Sequence, residues 1–175
     1  DSLPILVRNQ SGNLLIDNGK ITAYNLNIGA VSNGQAHDSL VTVRGANGEL
    51  NAVNDQYILR GDLNLGLATL RVEDGALASA KEIVVGANRG YDSHLIATGE
   101  GDRVTSNYLS GGTDLGARST VLIEEGAVMN TANQARIGDG FEPDETDKLN
   151  PKVTVTGNNS QWNVANALTL NGDLD

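Results

Sequence analysis

Leu70-Arg71-Val72-Glu73-Asp74-Gly75 decides how this chain is read, because the same phrase also stands as Leu14-Leu15-Ile16-Asp17-Asn18-Gly19 and Val121-Leu122-Ile123-Glu124-Glu125-Gly126. A second phrase alternates with it: Val41-Thr42-Val43-Arg44-Gly45, Leu95-Ile96-Ala97-Thr98-Gly99 and Val153-Thr154-Val155-Thr156-Gly157. Both place apolar residues at every second position, the pattern of a strand with one buried face. Both run into Gly, Asn or Asp, residues that tolerate the left-handed backbone of a tight corner. A strand phrase that recurs along a whole chain specifies a solenoid, where each repeat buries its apolar face only by stacking on its neighbours.

The glycines give the period. Gly19 to Gly45 is 26 residues, and the next steps to Gly75, Gly99, Gly126 and Gly157 are 30, 24, 27 and 31. The unit reads as a pair of unequal coils, with loops absorbing the differences in length. Each coil holds two clear strands and a short third. In the coil around Gly75 these are 69–73, the Ala76-Leu77-Ala78 stretch, and 82–85 closing at Gly86. Leu26-Asn27-Ile28-Gly29 and Ala135-Arg136-Ile137-Gly138 close equivalent coils, and each closing glycine is expected to take a positive φ at a recurring corner. Gly61, Gly111 and Gly172 are read as corners of the other coil type. That type carries Gly157-Asn158-Asn159-Ser160-Gln161-Trp162, matched by Gly99-Glu100-Gly101-Asp102-Arg103-Val104 and Gly45-Ala46-Asn47-Gly48-Glu49-Leu50. Trp162 thus falls level with Val104 and Leu50 and is assigned to the core or to a coil end.

The expected fold is all-β: a right-handed parallel β-helix of about six to seven coils, with 1–175 as a single segment. One coil adds one strand spacing of about 4.8 Å, so the rod should be on the order of 30 Å long. A β-propeller is the main rival, but its blades need four antiparallel strands and about 40–45 residues, more than these coils contain. Composition agrees with stacked coils. The chain is 39% hydrophobic but only 3% aromatic, so its core must be built from Leu, Ile, Val and Ala. A net charge of −10 argues against non-specific nucleic-acid binding and against contact with an anionic membrane surface. The absence of cysteine leans towards an exported chain without disulfides, and no run is apolar and long enough for a signal peptide or a membrane span. The chain opens and stops in strand-like sequence, which reads as a segment of something longer. Unpaired edges at its two ends would favour weak end-to-end association at high concentration.

The alternation of apolar-x-apolar-x-x-Gly-x-apolar, apolar-x-apolar-Gly and apolar-x-apolar-x-Gly-x-x-Ser-x-Trp resembles the PEP-CTERM-associated repeat of autotransporter (type V secretion) passenger domains. The resemblance runs from about Leu14 to Leu170 and is carried best by 70–170. Only Ser160 and Trp162 match the Ser-x-Trp element in full, and Gly45 to Leu59 lacks it. The resemblance implies a passenger folded outside a Gram-negative cell and held at its surface by a C-terminal barrel. It implies adhesion, autoaggregation or biofilm formation, with a host-cell surface, glycans or a second copy as partner, and no enzyme activity or cofactor.

Candidate sites are sparse. Arg60-Gly61-Asp62 is an integrin-type tripeptide directly after Tyr57-Ile58-Leu59, a place where an ordinary coil corner is the simpler explanation. The longest irregular stretch, 139–147, carries five carboxylates, Asp144 among them, and the only phenylalanine, Phe141. Clustered oxygen ligands on a turning loop suit a hard cation, but the alternating Asp order of a calcium loop is missing, so no metal is assigned. Phe141 and Asp144 stand, with Arg60, Gly61 and Asp62, as partner-binding candidates. His37 and His94 are placed in inter-coil loops. Asp92, Ser93 and His94 have triad residue types but are sequence neighbours, whereas a triad brings distant residues together. Glu73 and Glu124, with Asp17 in register, could form a carboxylate stack of the kind a carbohydrate-active β-helix uses. Asn25, Asn27, Thr42, Thr154, Thr156 and Asn163 should form polar ladders on outward faces, able to pair with another copy through many weak bonds. The alternatives to an adhesin are a carbohydrate-active β-helix and an inert stalk.

Overall fold

The computed structural model describes residues 5–7, 12–24, 26–29, 38–52, 62–65, 67–86, 92–112, 118–138, 151–170 and 173–174. Among them the chain enters at β1 (Ile5–Val7) and then winds in coils. The first coil is β2 (Asn13–Asp17), β3 (Lys20–Ala23) and β4 (Leu26–Ile28), and the second is β5 (Ser39–Arg44), β6 (Glu49–Ala52) and β7 (Asp62–Leu65). Next come β8 (Ala68–Glu73) with β9 (Leu77–Val85), β10 (Asp92–Thr98) with β11 (Arg103–Gly111), and β12 (Arg118–Glu124) with β13 (Val128–Ile137). The last are β14 (Lys152–Thr156), β15 (Gln161–Val164), β16 (Ala167–Leu170) and β17 (Asp173–Leu174). Every pairing is parallel and joins a strand to its counterpart one coil away, in the orders β17-β14-β12-β10-β8-β5-β2 and β1-β4-β7-β9-β11-β13-β15. The fold is a parallel β-helix.

The second sheet is bent. β9, β11 and β13 each serve two faces, turning at Lys81, at Asn107 and at Ala132-Asn133. The half of β9 before the turn pairs with β6 and the half after it pairs with β7. The cross-section therefore has three faces, and the short third strand expected from sequence is the far side of this bend. β13 carries one residue more than β11 at the turn, which appears as a shift of register between Ser106 and Tyr108.

The two sequence phrases occupy one position. Leu14, Val41, Leu70, Leu95, Val121 and Val153 lie side by side in the seven-stranded sheet, and Ile16, Val43, Val72, Ala97, Ile123 and Val155 form the next inward column. What alternates from coil to coil is the turn that follows. The turns 45–48, 99–102 and 157–160 have four residues, whereas 74–76 and 125–127 have three. The three-residue turns place Asp74 and Glu125 at positive φ (60° and 55°), a conformation that costs a non-glycine residue about 1–2 kcal/mol. At the opposite corner Gly29, Gly86 and Gly138 take φ of 71°, 80° and 80°, as their recurrence implied. Gly111 is not a corner. It lies in β11 between Val85 and Ile137, and Gly112 (φ 66°) makes the turn instead. Gly111 serves close packing: a Cβ there would lie 3.1 Å from Ile137 Cδ1 and 3.2 Å from Ser119 Oγ.

Inside the three faces runs one continuous core. Leu26, Ile28, Leu50, Leu70, Ile83, Leu95, Leu109, Ile123, Met129 and Ile137 are fully buried. Aliphatic side chains suit this geometry, because each meets other apolar side chains one rung above and below. Leu109, between Ile83 and Ala135 in its column, is completely buried, whereas Leu15 on the outside is 54% exposed. Leu109→Ala should lower unfolding free energy by about 2–5 kcal/mol in urea titration, and Leu15→Ala should change it by no more than about 0.5 kcal/mol. Equal effects at the two positions would contradict this assignment of inside and outside.

Candidate interaction surface

Outward positions of the seven-stranded sheet form a flat, ribbed surface. One outward column reads Asp17, Arg44, Glu73, Thr98, Glu124, Thr156, and the next reads Leu15, Thr42, Arg71, Ile96, Leu122, Thr154. Asp17, Glu73 and Glu124 thus share a column, as the sequence suggested, but they do not touch. Arg44 separates the first two and donates from Nη2 to Asp17 Oδ2 at 2.7 Å, and Thr98 separates the second two. The hydrogen bond from Arg44 holds the Asp17 carboxyl below its usual pKa. On the next face a hydrogen bond from Lys20, whose Nζ lies 2.6 Å from Glu49, lowers Glu49 in the same way.

On the face that starts with β3, β6 and the first half of β9, polar side chains bridge the rungs. Asn163 donates to Asn130 Oδ1 at 2.9 Å, and at the bend Asn166 donates to Asn133 Oδ1 at 2.7 Å while Asn133 donates to the Tyr108 hydroxyl at 2.8 Å. Trp162 lies in register with Met129, packs against the core, and donates from Nε1 to Thr131 Oγ1 at 3.3 Å. That is the core-edge role assigned to it. Its exposed side joins Asn130, Ala132, Asn163 and Ala165 around a hollow of about 410 Å³.

The remaining sequence candidates divide in two. Arg60, Gly61, Phe141, Asp144, the acidic stretch 139–147, His37 and Asn25 lie outside the described residues. Asp62 opens β7 opposite Glu82, and its side chain is not described. His94 is not in a loop. It is a residue of β10, whose alternation sends His94 and Asp92 outward and buries Ser93 completely. A strand cannot point neighbouring residues the same way, so these three form no triad. Among the described residues no group of three or more His, Asp or Glu side chains is placed to hold a metal ion.

Sequence reasoning missed Asp102. It is fully buried in the 99–102 turn, and its Oδ1 accepts hydrogen bonds from the backbone amides of Gly75 (2.6 Å) and Ala76 (3.0 Å) in the turn of the preceding coil. Ser160 holds the same place two coils on, where its Oγ accepts from the Gly126 amide at 3.0 Å. Gly48 is the third member and carries no side chain, since a Cβ there would meet the Arg44 carbonyl oxygen at 2.3 Å. The signal was available in the alignment of Gly99-Glu100-Gly101-Asp102 with Gly157-Asn158-Asn159-Ser160. Asp and Ser share the short oxygen acceptor that caps free backbone amides at a turn.

Comparison of the chain with protein-family models, with curated proteins and with solved structures finds no match.

Two outcomes follow. Ser160→Ala leaves the Gly126 amide without its acceptor and should cost about 1 kcal/mol in urea unfolding. The lowered pKa values of Asp17 and Glu49 make their contribution to stability complete above the ordinary carboxylate pKa and lost as pH falls through the depressed values. Arg44→Ala should therefore lower stability by a constant amount above about pH 5 and flatten part of the acid limb, with the two curves converging as pH falls below the ordinary carboxylate range, as read by thermal melts.

Proposed function

We propose that this chain is a surface-displayed β-helix segment of a bacterial autotransporter adhesin, acting outside the cell in adhesion, autoaggregation or biofilm formation. The observation that carries the reading is the outer face of the seven-stranded sheet. On a chain of net charge −10, β2, β5, β8, β10, β12 and β14 set Arg44, Arg71, Arg118 and Lys152 on this face against Asp17, Glu73, Asp92 and Glu124, four charges of each sign among the residues whose side chains are described. Several are matched locally: Asp17 with Arg44, Arg71 with Glu73 at 3.5 Å, and Asp92 with Arg118 at 3.6 Å. Two like-charged chains meet at least electrostatic cost through such a face. Between the charges lie Leu15, Leu40 and a row of threonines, which offer apolar area and hydroxyl groups at a regular spacing. Many weak contacts repeated along a rod suit adhesion between crowded surfaces, where multivalency multiplies a small affinity.

The test displays the chain on beads and runs a glycan array beside it. Beads carrying the chain should clump, and the double variant Arg44→Glu/Arg71→Glu, which turns the face acidic, should reduce clumping at least about tenfold at low salt. Glycan binding without clumping would replace the homotypic reading with a carbohydrate-binding one. Absence of both would leave a stalk.

A further inference from the structure

The strongest unassigned feature of the molecule is the stack of turns that joins the seven-stranded sheet to the face beginning with β3. Backbone bonds run through it from coil to coil: Glu49 to Gly19, Leu77 to Gly48, Arg103 to Ala76, Val128 to Asp102 and Gln161 to Ala127, each an amide donating to a carbonyl at 2.8–3.0 Å. Asp102 sits at the centre of this stack with no exposed surface. Its two oxygens are unequal. Oδ1 takes both amide bonds from the 74–76 turn, and Oδ2 is buried with no hydrogen-bond partner among the described residues. Oδ2 faces the Cα of Gly99, where a Cβ would lie 3.1 Å away.

The acids of the neighbouring turns outnumber the bases near it, which are Arg103 at the start of β11 and, beside Glu73, Arg44 and Arg71. Glu73 and Asp74 lie at the turn of the preceding coil, and both disfavour a second negative charge at Asp102. Glu124 and Glu125 flank the following turn, and Glu100 shares Asp102's own turn, with Arg103 exposed at the start of β11. An ionised Asp102 is therefore buried, half-satisfied and repelled by Asp74 and Glu73, the conditions that favour the neutral acid.

We infer that the 99–102 turn is a pH-responsive clamp, in which a proton taken from solvent by Asp102 Oδ2 at mildly acidic pH tightens the hold of this coil on the one before it. The proton adds to the oxygen that has no partner, and Oδ1 goes on accepting from Gly75 and Ala76 as a carbonyl oxygen. No bond of the clamp is lost, and the unpaired buried charge disappears. Burial is the largest cause of the shift, the amide bonds oppose it, and the pKa of Asp102 is pushed up to about 6 from the ordinary 3.8. A carboxyl whose folded pKa is raised contributes stability that is complete below the unfolded value and is lost as pH rises through the folded one. The window thus lies between about pH 4 and pH 6, above the range where Asp17 and Glu49 act. The β-helix becomes firmer as its surroundings turn from neutral to mildly acidic, independently of whatever its outer faces bind.

The test is urea unfolding of the intact chain and of Asp102→Asn at pH 5.0, 6.0 and 7.5 at fixed ionic strength. The amide keeps an oxygen acceptor for Gly75 and Ala76 and cannot ionise. Every other titratable group is common to the two proteins, so the difference between them isolates Asp102. From pH 7.5 to pH 5.0 the unfolding constant of the parent should fall about tenfold more than that of the variant. Parallel pH dependence in the two proteins overturns the inference. Should Asp102→Asn fail to fold, a carboxyl carbon NMR titration of the parent gives the same answer. A midpoint for Asp102 near pH 6 supports the clamp, and a midpoint at or below 3.8 overturns it.

Discussion

The register between parallel strands one coil apart is the constraint on which the rest of this protein depends. Side chains of a strand alternate between faces, so a slip of one residue would turn a whole apolar set outward. The seven-stranded sheet keeps the same register through all of its described pairs, from Asn13 beside Leu40 to Val153 beside Leu174. Each inward position is thereby forced to meet the same position of its neighbours. That is why Val41, Leu70, Leu95 and Val121 all are aliphatic and fully or almost fully buried. Among the described residues the buried apolar core consists of Ile, Leu, Val, Ala and Met side chains. Trp162 is admitted at the level of Met129, where it reaches Thr131.

The corners keep the register while the chain length varies. Gly29, Gly86, Gly112 and Gly138 turn the chain out of the third face at nearly the same backbone angle, and the inserted lengths 30–37, 87–91, 113–117 and 139–150 follow directly after them. Length also varies at the bend, where residues 53–61 separate β6 from β7 while β9 turns at Lys81 alone. The opposite corner holds no long insertion, and its turns are instead tied to one another by backbone bonds and by the side chains of Asp102 and Ser160. Using a carboxylate for this task in one coil and a hydroxyl in another gives the same geometry with different chemistry. The hydroxyl is indifferent to pH, and the carboxylate is not.

On the outward faces the same register lines up whatever the sequence supplies. Asparagine pairs satisfy one another across rungs at Asn130–Asn163 and Asn133–Asn166. Charges of opposite sign alternate at Asp17 and Arg44. Glu73 and Glu124 lie two rungs apart in one column, with Thr98 between them. The geometry lends itself to extended, repetitive contact.

By itself the sequence determined the solenoid. The recurrence of Leu70-Arg71-Val72-Glu73-Asp74-Gly75, the two-residue period and the closing glycines are local properties, and strand, corner and stacking follow from them without knowledge of any distant contact. It also marked Trp162 as a core-level residue, because position within a repeat fixes which way a side chain points. Only the tertiary structure decided that the two phrases share one face, that Gly112 and not Gly111 turns the corner, and that Arg44 and Thr98 interrupt the acidic column. These depend on how many residues each turn consumes, a quantity that the spacing of glycines blurs. Asp102 is the sharpest case. In sequence it is one acid among 22, and what sets it apart is burial against the amides of a turn 26 residues earlier. No local pattern encodes a desolvated charge, because desolvation is a property of the assembled coils.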